Sequence, residues 1–407
     1  MPSPKPLELY QLLHRHPEPS GQEERTAATL ATLLRDAGLD VRTGVGGHGV
    51  VAALVNGPGP VVALRAELDA LPVTEETGLP WASERPGVMH ACGHDLHLAC
   101  AVAAAGELAA DPGSWSGTVL VLLQPAEETL SGARAMAADG VYDRWRPDVL
   151  LAQHLAPFPA GYVAHGAGPL LAGSRTLQVT LHGTGGHAAG GTGTLSPVVT
   201  ASAIVLRLQA LVAGETGPAE PAVVSVGGFD APAPANVVPE NLGLEVSVRA
   251  MTTAALDRLE AAVRRIVRAE AEASGYPTAP DVVRTAASDV TASDPATARA
   301  VAAAQREALG AGAVIGWVPS MATEDVGVLG AGGADLHGCP DVRLVYWMLG
   351  SVATADWAAV EGDAGTRLAA QVPNHSPRFA PDAEVALRTG TDALTAAVRG
   401  LAPVTPT

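Results

Sequence analysis

Thr118-Val119-Leu120-Val121-Leu122-Leu123-Gln124-Pro125-Ala126-Glu127-Glu128 is an unbroken apolar run that stops on two adjacent carboxylates. A run of this length and composition reads as a buried strand. Similar short runs recur at Val50–Val55, Val61–Leu64 and Val149–Leu151, and between them Leu96–Ala110 reads as an alanine-rich helix. An earlier helix is expected from Gly21 to Ala37. Its apolar stripe is Ala28, Leu30, Leu33 and Leu34, and Glu23, Glu24 and Asp36 fall on its polar side. Strands alternating with helices predict an α/β domain with a largely parallel sheet.

Farther on the pattern changes. Leu177–His182 alternates like a half-buried strand, Val198–Val212 is helical, Val223–Val226 and Leu242–Val248 are strands, and Thr253–Ser274 is a long amphipathic helix. This β-α-β-β-α order predicts a smaller α+β unit of ferredoxin-like type. Helix–strand alternation then resumes with Ala296–Leu309, Arg343–Leu349 and Asp382–Val398. The expected organisation is one domain in two parts, 1–172 and 286–407, interrupted by an insert over 173–285.

A chain of 407 residues, 47% of them hydrophobic, is long and apolar enough for two well-packed domains. Lys+Arg 25 against Asp+Glu 42 gives a net charge of −17. That balance repels phosphates and anionic lipid, so neither nucleic acid nor membrane is expected as a partner. Lys5 is the only lysine, which removes Schiff-base, P-loop and carbamylated-lysine chemistry. Cys92, Cys100 and Cys339 are too few and too scattered for a disulfide framework, the N-terminus has no apolar core of signal type, and no apolar stretch approaches a membrane span. A reducing cytoplasm is the expected location.

The densest chemistry is His90-Ala91-Cys92-Gly93-His94-Asp95-Leu96-His97, at the start of the alanine-rich helix. A thiolate, imidazoles and a carboxylate within one short segment suit a transition metal, and a helix N-terminus favours ionised Cys92. Glu127 and Glu128 cannot both sit unpaired at the end of a buried strand. One on a metal while the other holds a proton resolves this; a surface pair opening the next helix is the other reading. His154 follows Asp148–Gln153, where a strand is expected to meet a loop, a usual place for sites in open α/β sheets. His375 stands in Pro373-Asn374-His375-Ser376-Pro377. Either histidine alone is more often structural than a ligand. Gly44-Val45-Gly46-Gly47-His48-Gly49 fits a dinucleotide pattern on paper but precedes a strand, so it reads as a turn. Asn374-His375-Ser376 is only formally a glycosylation acceptor. The absence of HExxH and GxSxG motifs argues against zincins and α/β-hydrolases.

Taken together these segments resemble the amidohydrolase branch, subfamily D, of the M20 metallopeptidases, which includes hippurate hydrolases, N-acyl-amino-acid amidohydrolases and auxin-conjugate hydrolases. The resemblance runs nearly end to end. It is carried by Leu13–Ser20, Arg65-Ala66-Glu67-Leu68-Asp69-Ala70-Leu71-Pro72, Met89–His97 and Gln124–Glu128, then by Gly185–Ala189, Asn236–Pro239, Ser320–Asp325 and His375–Pro377. CGHDxH followed by QPAEE is its most specific part.

The resemblance implies a dinuclear-metallopeptidase catalytic domain with the insert as a lid and dimerisation domain. It implies that Cys92, His94, Glu128, His154 and His375 hold two divalent ions (zinc, manganese, nickel or cobalt), with Cys92 bridging. Glu127 is then the general base for a water shared by the ions, Asp69 a carboxylate that orients a ligand, and His97 structural. In the insert, His187 would stabilise the oxyanion, and Asn236 and Arg249 would hold the substrate's carbonyl and carboxylate. Glu324 falls in a late family motif without an assigned role. The implied reaction is cleavage of the amide bond of N-acyl or N-aroyl amino acids, by a homodimer joined through the lid. A dipeptidase or aminoacylase of other selectivity, or a catalytically silent metal-binding homologue, are the alternatives. With 3% aromatic residues, small or aliphatic acyl groups are favoured over aryl ones. Three departures bear on selectivity and lid closure. Glu67 stands where the family has Asp, Ala189–Pro197 replaces a stretch close to MPHxxxDP, and Val246-Ser247-Val248 precedes Arg249 where relatives carry GT.

Overall fold

A strand with no polar face needs cover on both sides, and the run around Val119 has it. In the computed structural model, which describes residues 5–166, 168–190 and 194–404, it lies in strand Gly117–Gln124, buried at every position. The strand belongs to an eight-stranded mixed sheet. Its order is Asp40–Val45, Gly49–Asn56, Gly117–Gln124, Val61–Glu67, Val149–Pro159, Arg343–Val352, Val163–His165 and Val314–Gly316. The four central strands run parallel. Antiparallel neighbours flank them on both sides. Helices Pro6–Arg15, Glu24–Asp36, His94–Ala110, Pro295–Leu309 and Ala383–Leu401 share one core with this sheet.

Helix His94–Ala110 is apolar nearly all round, so it is buried on several sides rather than along one stripe. Leu96, Leu98 and Leu108 have no exposed surface, and burying each contributes about 1.5–3 kcal/mol. That anchoring matters because the first residue of the helix is His94. Gly93 precedes it at φ 87°, and a Cβ there would lie 2.4 Å from Leu155 Cδ1. The left-handed backbone favours glycine at this position, and a side chain here would also have to displace the buried Leu155.

The chain divides into two compact units, one of Met1–Leu170, Ala292–Val318 and Asp325–Thr407, the other of Leu171–Thr291 and Pro319–Glu324. The second is a four-stranded antiparallel sheet in the order Ala222–Asp230, Asn241–Ala250, Gly173–His182 and Asp281–Ser288. Helices Pro197–Gln209 and Thr253–Ala273 complete a β-α-β-β-α-β unit of ferredoxin-like type. The alternation read in Leu177–His182 puts Leu177, Val179 and Leu181 into its core.

Several expectations are corrected. The helix expected over Val198–Val212 divides at Ala210 into Pro197–Gln209 and Leu211–Glu215. Strand Asp281–Ser288 escaped the reading because it is a mostly exposed edge strand paired on one side only. The first long helix begins at Glu24, not Gly21, since Gly21 takes φ 77°, and Glu23 is fully buried instead of lying on its polar side. Gly44–Gly49 is the turn of the hairpin joining Asp40–Val45 to Gly49–Asn56, as expected. Of the departing stretch Ala189–Pro197, Gly191, Thr192 and Gly193 lie outside the described residues. Among the described residues no helix is long and apolar enough to cross a membrane.

Candidate metal centre

The carboxyl ends of three adjacent parallel strands deliver side chains to one place, as crevice sites in α/β sheets require. Asp69 follows Val61–Glu67 by two residues, and Glu127 and Glu128 follow Gly117–Gln124. His154 was expected just beyond its strand. It lies instead inside Val149–Pro159, past the last pair with the neighbouring strand, Arg65 with Ala152. The strand runs on because Arg343–Val352 still pairs with it on the other side, so His154 projects where one neighbour has already ended.

Cys92 arrives on the loop before the buried helix and His94 on its first residue. His375 comes from a distant loop, at φ 67°, a left-handed conformation uncommon outside glycine. Its amide donates to the Ala91 carbonyl at 2.8 Å. Beside it the Asn374 side-chain amide donates to the carbonyls of Cys92 (3.1 Å) and Leu155 (3.2 Å). Asn374 was noticed in the sequence only as a formal glycosylation acceptor; it pins the His375 loop to the Cys92 loop.

The donor atoms of Cys92, His94 and His154 lie within 4.8 Å of one another, and so do those of Cys92, Glu128 and His375. The two sets share the Cys92 sulfur. Cys92 Sγ is 3.4 Å from His154 Nε2, and Glu128 Oε1 is 3.4 Å from His375 Nε2. Glu127 is buried, with Oε2 3.8 Å from His94 Nε2. Tautomers are set by the backbone. His94 Nδ1 donates to the Asp69 carbonyl and His154 Nδ1 to the Leu155 carbonyl, each at 2.8 Å. Both Nε2 lone pairs are thereby turned into the site. The Asp69 carboxylate accepts the Glu128 amide (2.9 Å) and the Ser20 hydroxyl (2.7 Å) at Oδ2, while its Oδ1 lies 3.4 Å from His94 Nδ1.

His94 Nε2 and Glu128 Oε1 are buried without a hydrogen-bond partner. Burial would raise the Cys92 thiol, yet His154 and His94 hold it well below its usual pKa. Burial, and then the Cys92 sulfur, push Glu128 up. Burial alone would lower His154, but Cys92 lifts it to about 9; Cys92 and Glu128 lift His375 to about 10. Lone pairs that attract protons this strongly are also good ligands. Sulfur, imidazole and carboxylate in two overlapping sets fit a pair of divalent cations.

His97 is different. Its Nε2 accepts the Leu155 amide at 2.9 Å, so Nδ1 is the protonated nitrogen and donates to Glu67 at 2.8 Å. Both nitrogens are committed. Glu67 also pairs with buried Arg65, which in turn bonds Gln124 and reaches Asp325. Burial would raise Glu67, but Arg65 and His97 hold it well below the usual range. Glu67, one of the three departures from the resemblance, thus joins a buried charge network.

A second buried ionic group supports the helix His94–Ala110. His14 Nδ1 is 2.6 Å from Asp95 and Nε2 3.3 Å from Glu75, with all three side chains 5% exposed or less. Burial works against the charge on His14, but Asp95 first and then Glu75 raise its pKa to about 10. His14 therefore stabilises the fold fully below about pH 6.5, its unfolded value, and the contribution is lost as pH rises through about 10. Replacing it strands two buried carboxylates. His14→Ala is expected to cost about 3–5 kcal/mol at pH 6, read from denaturant melting, with a smaller deficit relative to wild type above pH 10.

In the second unit, a two-residue ribbon pairs His187 with Val237, which brings His187 and Asn236 together on its exposed face. The Ala188 amide donates to the Asn236 carbonyl at 2.9 Å, and His187 Nδ1 accepts the Ala189 amide at 3.1 Å. Arg249 is half-buried and spends one donor on the Met321 carbonyl at 2.9 Å. Glu324 is buried at the end of the segment Pro319–Glu324.

Residues 63–355 match the family model described as peptidase family M20/M25/M40. The chain is 37% identical over 260 residues to N-acetyldiaminopimelate deacetylase of Geobacillus thermodenitrificans, covering 62% of this chain and 67% of that protein. It is 34% identical over 266 residues to hippurate hydrolase of Campylobacter jejuni, covering 64% and 68%. Among the curated relatives that it matches, the chain spans 66% of one and 57% of another. Of the solved structures, a Bacillus subtilis protein described as a dinuclear metal binding peptidase from the M20 family superposes with a TM-score of 0.73 at 26% identity, over 97% of this chain and 96% of that one.

Proposed function

Since the chain belongs to peptidase family M20/M25/M40, we propose that it is a metal-dependent amidohydrolase that cleaves the amide bond of N-acyl amino acids. The observation that carries this reading is the pair of ligand sets sharing Cys92, with the Glu127 carboxylate beside them. Cys92, His94, His154, Glu128 and His375 would hold two divalent cations, as the Bacillus subtilis neighbour is described to do. When bound, such ions polarise the scissile carbonyl and make a nearby water more acidic.

The protein's own residues then divide the work. Glu127 accepts the proton of the attacking water and delivers it to the amide nitrogen, which must be protonated to leave as an amine. His187 supports the negative charge that develops on the carbonyl oxygen. Arg249 keeps donors for a carboxylate after its bond to Met321, and Asn236 supplies an amide to the substrate carbonyl. Two relatives are named for removing acetyl groups and one for hydrolysing hippurate, an N-aroyl amino acid, so the preference for small acyl groups rests on the 3% aromatic content of the chain. Thiolate and imidazole donors favour zinc, while manganese, nickel and cobalt suit the carboxylate and imidazoles.

The test is metal analysis followed by activity on N-acetyl-, N-benzoyl- and longer-chain acyl amino acids. Release of the free amino acid is expected, fastest from the N-acetyl substrates and abolished by a chelator. A protein carrying two ions per chain that hydrolyses no member of the panel would falsify the reading.

A further inference from the structure

Glu23 occupies the N-cap position of helix Glu24–Asp36 but makes no side-chain cap bond there. Its side chain turns inward and is fully buried. Oε1 accepts two backbone amides, Gly21 at 2.8 Å and Ala126 at 2.9 Å. Oε2 has no hydrogen-bond partner. A buried carboxylate with one oxygen left unpartnered needs a reason.

The reason lies in what it grips. Ala126, immediately before Glu127, has φ 49°, in the left-handed region that side chains rarely adopt. Such strain persists only where the surroundings over-determine it. The Ala126 carbonyl accepts the amides of Ser131 (3.2 Å) and Gly132 (3.1 Å). Gly132 leaves no room for another residue, since a Cβ there would lie 1.5 Å from the Pro125 carbonyl oxygen. On the other side of Glu127, the Asp69 carboxylate accepts the Glu128 amide. Two buried carboxylates therefore hold the amides on either side of Glu127, one from the N-terminal segment and one from the end of a central strand.

We propose that Glu23 is a positioning residue of the hydrolytic site, whose Oε1 locks the left-handed Ala126 peptide and thereby fixes the direction in which Glu127 presents its carboxylate. The proposal rests on the reading of Glu127 as the base. The bonds of Glu23 Oε1 go to backbone amides, so it acts through the backbone of the turn.

The test compares Glu23→Ala, Glu23→Gln and Glu23→Asp in the metal-loaded full chain. Glu23→Ala is expected to lower kcat by about 10–100-fold with KM little changed and both metal ions retained, the cost of a misaimed catalytic group. Glu23→Gln keeps the acceptor and should remain within about threefold of wild type, because the hydrogen bonds survive the loss of charge. Glu23→Asp withdraws the acceptor by one methylene and should fall between the two, and it replaces the Ala variant if that one does not fold. Hydrogen–deuterium exchange gives a readout that needs no turnover. The segment Leu123–Gly132 should exchange faster in Glu23→Ala and at the wild-type rate in Glu23→Gln. Unchanged exchange there overturns the proposal whatever the activity. So does a kcat loss matched by loss of metal, or a Gln variant as damaged as the Ala variant. An inactive wild type with the expected exchange pattern would instead sink the amidohydrolase reading and leave the role of Glu23 in the turn supported.

Discussion

Glu127→Gln is expected to keep both metal ions and lose hydrolysis by on the order of 10³–10⁴-fold, the upper range for a positioned acid–base group. Glutamine fills the same space and can still donate and accept hydrogen bonds, so binding of substrate should change little. What it cannot do is take a proton and give it back. In amide hydrolysis that function is used twice, once to activate the water and once to release the amine, so one substitution interrupts both steps. Glu127 is buried, with Oε2 3.8 Å from His94 Nε2, close enough to share a water with groups bound at that histidine. The measurement is kcat at saturating substrate alongside metal content per chain. A variant that turns over within tenfold of wild type with its metals in place would assign the proton transfer to another residue.

How much of this was legible beforehand depends on how local each signal is. The apolar strand Gly117–Gln124 and the alanine-rich helix were readable because each contains its own period and its own boundary. Carboxylates that directly follow a buried strand have few places to go except the carboxyl edge of the sheet, so Glu127 and Glu128 announced a site. Cys92 and His94 did so by crowding several ligand types into one turn. His154 was harder. Where a strand loses one neighbour while keeping the other is a property of the register between Val149–Pro159 and two other strands, and no single segment encodes it. The three-residue strand Val314–Gly316 and the mostly exposed edge strand Asp281–Ser288 carry too little alternation to be seen alone.

The residues that hold the site in shape were the least visible. Glu23 looked like a solvated helix residue because its helical position said polar face, and only the turn at Gly21 and the contact with Ala126 make it internal. Asn374 stood out only as a formal glycosylation acceptor, yet its bonds reach the carbonyls of Cys92 and Leu155, residues far away in the chain. His97 was expected to be structural although it shares a motif with the ligand candidate His94. The Leu155 amide separates them by occupying the nitrogen that a metal would need.

Cys92→Ser should be the most damaging change at the ligand positions, because Cys92 alone belongs to both donor sets. A serine hydroxyl stays protonated at neutral pH and is a poor substitute for a thiolate, so both ions lose a ligand at once. Occupancy is expected to fall from two ions per chain to well below one at stoichiometric metal, and kcat to fall by about 10³-fold or more. Losing the several kcal/mol that a cation contributes to stabilising developing charge is enough for that. The informative control is His375→Ala. His375 belongs to the Cys92, Glu128, His375 set and not to the set with His94 and His154, so its loss should release one ion and spare the other. If Cys92→Ser and His375→Ala gave the same single loss, the sulfur would serve one ion only. If Cys92→Ser kept two ions and its activity, the thiolate would be no ligand at all, although the imidazoles of His94 and His154 hold it well below its usual pKa. Titrating metal into each variant, with fold integrity followed by thermal melting, separates these outcomes.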